Sequence, residues 1–218
     1  MLIGIEICLV IVLSIAGWLY LELEGADNKK EAIRNGDRKK KIFGGIMCVL
    51  GIVMVFGLNH IFPENHYLAN IKLLTLVTLL FPIAWKDYTN MIIPNKIIGT
   101  GLIIRLVYYV LELILRSESF FTILKQDLFA LVIVIVFLIV GTFIIKNGIG
   151  MGDIKLLILI SLFQGIYGMF SSIFFSLFAA FITGIFLLVT KRKGKKDSIP
   201  FAPSILIGTY ISVFLTGV

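Results

Sequence analysis

Gly148-Ile149-Gly150-Met151-Gly152-Asp153-Ile154-Lys155 decides how this chain folds, because an apolar run starts directly behind it and reaches residue 190. Three glycines free the backbone there, and one carboxylate stands at the mouth of the run. Read as one helix, the run far exceeds the roughly 20 residues that cross a bilayer. It would also place Lys191-Arg192-Lys193-Gly194-Lys195-Lys196 opposite the other basic segments. Read as two helices, broken between Gln164-Gly165 and Ser171-Ser172, it returns that cluster to their side. The spacing therefore predicts spans over 153–168 and 171–190.

Outward from there the same pattern repeats. The 218 residues are 59% hydrophobic, with a mean hydropathy of +1.03. A soluble domain lies near 45–50% apolar, so the excess has to be explained. Apolar runs over 2–21, 42–59, 68–85, 94–115, 126–145 and 201–217 account for it. Lipid offers backbone polar groups no partner, and the runs show no strand alternation, so helices are implied. The expected fold is all-α: a polytopic membrane protein of about eight transmembrane helices, with residues 1–218 forming one membrane-embedded domain.

The net charge of +7 comes from the loops. Sixteen of the 20 Lys and Arg fall in four segments: seven in 22–41, Lys86 and Lys96, Lys146 and Lys155, and five in 191–196. Positive loops stay on the cytoplasmic side, which predicts an outside N-terminus and removes the need for a nucleic-acid partner. The first run has no basic residue ahead of it and contains Glu6, so it reads as a membrane helix and not as a cleaved signal. Cys8 and Cys48 differ in expected depth by roughly 10 Å, too far for a disulfide, and both read as small buried residues. His60, Glu64 and His66 share an expected outer turn, where no metal is predicted. The chain has no phosphate loop and no nucleotide fingerprint, so no cofactor is expected.

A second aspartate repeats the placement of the first. Asp87 stands in Trp85-Lys86-Asp87-Tyr88-Thr89-Asn90, at the expected inner end of the third span. Asp153 opens the inner end of the sixth, so both carboxylates are expected at one membrane face. Two carboxylates that share a site cannot easily both ionise, and they hold one proton between them. The charged member takes a proton from water while the neutral one donates to the carbonyl under attack. That is hydrolysis of a peptide bond without a covalent intermediate. Gly148, Gly150 and Gly152 are expected to supply positive φ and to let an extended substrate strand approach.

Plainer readings stand beside this one. Asp153 is also a good helix N-cap, and Asp87 an interfacial charge next to Lys86. Lys155 either acts on a carboxylate or marks the inner interface. Pro94 is expected at the first helical position of its span, where its missing N–H is not needed. Arg105, near the middle of that span, needs a protein or water environment, with Glu112 or Glu6 as ion-pair partner. The rival function is a proton- or cation-coupled transporter using the same aspartates. That reading expects carboxylates near the midplane, commonly in repeated halves.

Taken together, Asp87 with Ile93-Pro94-Asn95, then Gly150-Met151-Gly152-Asp153-Ile154-Lys155, then Ile199-Pro200-Phe201-Ala202-Pro203 resemble the three motif regions of the type IV prepilin peptidases. These are Gly-x-Gly-Asp aspartic proteases of the membrane, and the resemblance covers about 70–218. It implies Asp87 and Asp153 as the catalytic pair, with Gly150, Gly152, Pro94, Asn95 and Lys155 shaping the loop or the substrate path. It implies prepilin or pseudopilin precursors as partners. Their short basic leader, ending in glycine, would be cut at the cytoplasmic face of the cell membrane. Many members also carry a zinc-cysteine domain between the first two spans and N-methylate the new amino terminus. Here that place holds only residues 22–41, without a cysteine, so peptidase activity alone is expected.

Overall fold

The computed structural model describes residues 2–24, 37–144, 150–191 and 198–218, and the regular structure within them is entirely helical. The helices are α1 (Leu2–Leu23), α2 (Arg38–Ile61), α3 (Tyr67–Asn90), α4 (Asn95–Leu115), α5 (Ser117–Ile144), α6 (Met151–Val189) and α7 (Ala202–Thr216). Six of them are long and apolar enough to cross a membrane, and α7 is a shorter apolar helix. The chain is thus a multi-pass, all-α membrane protein. Phe170, Phe174, Phe178 and Phe181 stay exposed along α6, as side chains that face lipid tails can. Gly148, most of the basic segment 22–41 and all but the first residue of the 191–196 cluster lie outside the described residues.

Contacts gather into two compact units, residues 1–82 with Gly217, and residues 83–216 with Val218. The boundary falls at Pro82 inside α3, where the ring nitrogen has no hydrogen to donate to the helix ladder. In the first unit α1 packs on α2. Glu6 is 1% exposed and accepts a hydrogen bond from Asn59 Nδ2. Lys40 donates to the Leu21 carbonyl at 2.7 Å and pairs with Glu22 at 3.5 Å, which ties the last turn of α1 to the first turn of α2. Cys8 corrects an expectation: it is exposed and not buried, while Cys48 is half-buried, and both are free.

In the second unit α6 packs against α7, α5 and α4. It runs 39 residues, but Gly165 inside it has φ 63° and ψ −164°, a non-helical conformation at a kink. The kink lies within the stretch where the apolar run was expected to break. The pieces on either side, 151–164 and 166–189, span about 21 and 36 Å. Against a hydrocarbon core of about 30 Å, the break sits at membrane depth. Backbone polar groups released there need protein partners. The Leu162 carbonyl finds one in Arg105, whose Nε donates to it at 2.6 Å.

Arg105 is 1% exposed and organises a cluster of charge around the kink. It pairs with Glu112 at 3.1 Å and with Asp127. The Tyr109 hydroxyl donates to the same Asp127 oxygen at 3.0 Å, and the guanidinium lies 3.8 Å from the Tyr109 ring centroid. Of the two acids expected for Arg105, Glu112 is there, whereas Glu6 bonds Asn59. Asp127 lies at the start of the expected 126–145 span, and the segment before it, 116–125, falls between expected spans. The structure corrects this: only Arg116 separates α4 from α5, and helix continues from Ser117 past Asp127. A polar segment flanking a span can stay helical when its charges have partners.

Candidate active site

Four helix ends of the second unit meet around Asp87 and Asp153. The first is the end of α3, which runs to Asn90, beyond the expected limit of its span. Asp87 lies in its last turn and is 7% exposed. The helix stops because Met91 takes a left-handed conformation, φ 54°, and returns its N–H to the Asp87 carbonyl at 2.9 Å. Glycine is the usual residue at such a cap, since a Cβ crowds the following carbonyl there. The Asp87 carboxylate accepts a hydrogen bond from the backbone N–H of Ala202 at 2.8 Å, at the start of α7.

The start of α4 comes next. Pro94 is buried and is the N-cap, with φ −71° and ψ 117°. This corrects its expected place by one residue, and Asn95 opens the helix. The start of α6 faces it. Gly150 is the N-cap, with φ −67° and ψ 139°, which makes Asp153 the third helical residue and not the cap. Its carboxylate reaches back to accept from the Gly150 N–H, the acidic half of a capping box. Lys155 is exposed, and its Nζ donates to Asn95 Oδ1 at 2.8 Å, joining the two helix starts.

The glycines work differently from the expectation. Gly150 has a negative φ and Gly152 is helical, so neither supplies left-handed backbone. Gly152 instead permits a close approach by the chain itself. A Cβ there would stand 2.9 Å from the Ile93 Cβ, nearer than real Cβ atoms come. The α3–α4 connection can therefore lie directly on the first turn of α6. That contact brings the two aspartates to one place.

The carboxylates of Asp87 and Asp153 are near enough to interact electrostatically. Asp87 is buried and Asp153 half-buried, so the pair has one sheltered member and one that water can reach. Two such groups can share a proton and hold a water between them. Among the described residues, no group of three or more His, Cys, Asp or Glu is placed to hold a metal.

A family profile described as the type IV leader peptidase family matches residues 74–189, a stretch that contains both aspartates. The chain belongs to the type IV leader peptidase family. A curated relative, the "Prepilin leader peptidase/N-methyltransferase" of Bacillus subtilis (strain 168), is 31% identical over 137 residues. The aligned part is 62% of this chain and 52% of the relative, so the chain spans about half that protein's length. No solved structure matches the chain. The leader peptidase profile ends before Ala202, yet the Ala202 N–H is a direct partner of Asp87. Side-chain reasoning missed it because a backbone donor has no signature in residue types.

Proposed function

We propose that this chain is an aspartic endopeptidase of the cytoplasmic membrane that removes the leader of type IV prepilin-like precursors, with Asp87 and Asp153 as its catalytic pair. One observation carries the reading. Two acids from separate helices interact electrostatically inside the segment matched by a leader peptidase family. One carboxylate takes a proton from water, and the oxygen attacks the scissile carbonyl carbon. The other donates its proton to the carbonyl oxygen. Collapse of the tetrahedral intermediate then expels the amine, which leaves with a proton returned from the pair.

The setting supports a cytoplasmic site. Lys86, Lys96 and Lys155 flank these helix ends, and basic flanks stay on that side. Tyr88, Met91, Ile92 and Met151 are exposed near the pair and offer apolar surface to the membrane segment of an arriving precursor. We propose peptidase activity without N-methylation, although the relative's name includes both, because residues 22–41 contain no cysteine.

The test is cleavage of a pilin precursor by the purified protein in liposomes. Wild type is expected to release the leader, and Asp87→Asn and Asp153→Asn are expected to insert normally and release none. Full cleavage by either variant sinks the pair. Proton or cation flux driven through the liposomes without cleavage would favour a transporter. Mass spectrometry of the product with S-adenosylmethionine present is expected to show an unmethylated amino terminus.

A further inference from the structure

The carboxylate pair has a support on a helix that the matched family profile does not reach. Ala202 opens α7 and is 1% exposed. The Ile205 N–H donates to the Phe201 carbonyl at 3.0 Å, so Phe201 is the N-cap and Ala202 the first helical residue. The N–H at that position has no acceptor within its own helix. Here its acceptor is Asp87 Oδ2, at 2.8 Å and 115 residues away in sequence. A carboxylate held at a helix amino end gains a charge-assisted hydrogen bond and a favourable helix dipole.

This bond also links the two halves of the site. Helix α7 packs along α6, and α6 carries Asp153 in its first turn. Asp153 is held in turn by the Gly150 N–H at the amino end of α6. Each acid therefore rests on a backbone donor from the amino end of one of two helices packed on each other. We propose that the Ala202 N–H is a positioning group for the reaction. It occupies one oxygen of Asp87 and sets the distance and angle at which the other meets water and Asp153. The proposal rests on the reading of Asp87 and Asp153 as the catalytic pair.

The donor can be removed without breaking α7. Proline is favoured at the first helical position, and an N-cap residue tolerates a following proline. Ala202→Pro deletes the N–H and adds bulk. Ala202→Val adds similar bulk and keeps the N–H, and Ala202→Gly keeps the N–H and removes the methyl. Replacing residue 202 by lactic acid, which turns the amide into an ester, deletes the N–H with no added bulk. Each is assayed for kcat and KM on a pilin precursor in liposomes, with Asp87→Asn and Asp153→Asn beside them.

The expected result is a kcat lowered roughly 10- to 100-fold in the proline and ester variants, with KM near wild type, as for a misplaced catalytic group. The valine and glycine variants are expected to keep most of kcat. Wild-type kcat in the ester variant overturns the proposal. So does an equal loss in the proline and valine variants when the ester is active. If the proline variant fails to insert, the ester decides alone. Full activity in either Asp→Asn variant overturns the catalytic pair itself. Loss in those two with an active ester overturns only the role of Ala202.

Discussion

Two clusters of charge lie in the second unit, and they are built on different rules. At the kink of α6 a guanidinium organises everything: Arg105 pairs with Glu112 and Asp127 and also meets the Leu162 carbonyl. At the helix ends, Asp87 and Asp153 rest on backbone N–H groups, from Ala202 and Gly150. On the proposed function, the difference separates structure from chemistry. Acids paired with a cation are compensated, and breaking such a pair leaves an expensive buried charge. Acids held by neutral donors beside each other keep the capacity to exchange a proton. A buried carboxylate is thus a poor guide to function until its partner is known.

The strongest way to break this contrast is to neutralise one acid at the helix ends. Asp87→Asn or Asp153→Asn should lower the cleavage rate by at least about 10²–10⁴-fold with little change in thermal midpoint. An equal loss of stability and activity would make those acids structural. The converse holds at the kink. Arg105→Leu should cost about 3–5 kcal/mol, because it strands Glu112 and Asp127 without their guanidinium. Unfolding in detergent measures the cost. Adding Glu112→Gln and Asp127→Asn to it should recover much of the loss, and cleavage per folded molecule should stay near wild type.

Two glycine changes sharpen the comparison further. Gly152→Ala forces a Cβ against Ile93 at the helix ends and should cost about 1–3 kcal/mol, with cleavage impaired. Adding Ile93→Ala should restore part of both, since it removes the atoms in the way. Gly165→Ala places a side chain at φ 63° and ψ −164°, a region essentially reserved for glycine, 3.2 Å from Asp127 Oδ1, and should cost about 1–3 kcal/mol in stability. The smallest effect is expected at Met91, where Met91→Gly should raise stability by about 1 kcal/mol by relieving the left-handed cap. A drop in midpoint instead would mean that the methionine side chain contributes more than its backbone costs.

Much of this was legible in the residues, and the exceptions have physical causes. The all-α class followed from apolar runs in a solvent that satisfies no backbone groups. The break near Gly165 followed from length and from the basic cluster beyond it. The two aspartates stood out because each ends an apolar run at the same expected membrane face. Asp127 did not stand out, since an acid near the start of an expected span looks interfacial until a partner such as Arg105 is seen to hold it. The glycines of the Gly150–Gly152 stretch were read as conformational, but Gly152 serves a contact with Ile93 that is remote in sequence.

By itself the sequence determined which segments enter the membrane and which acids stand at their ends, because transfer of apolar and charged groups depends on residue type and run length. Only the tertiary structure decided which acid meets which partner. Whether a carboxylate faces a guanidinium or a backbone N–H is settled by how helices cross, and a backbone donor such as that of Ala202 is the same in every residue except proline.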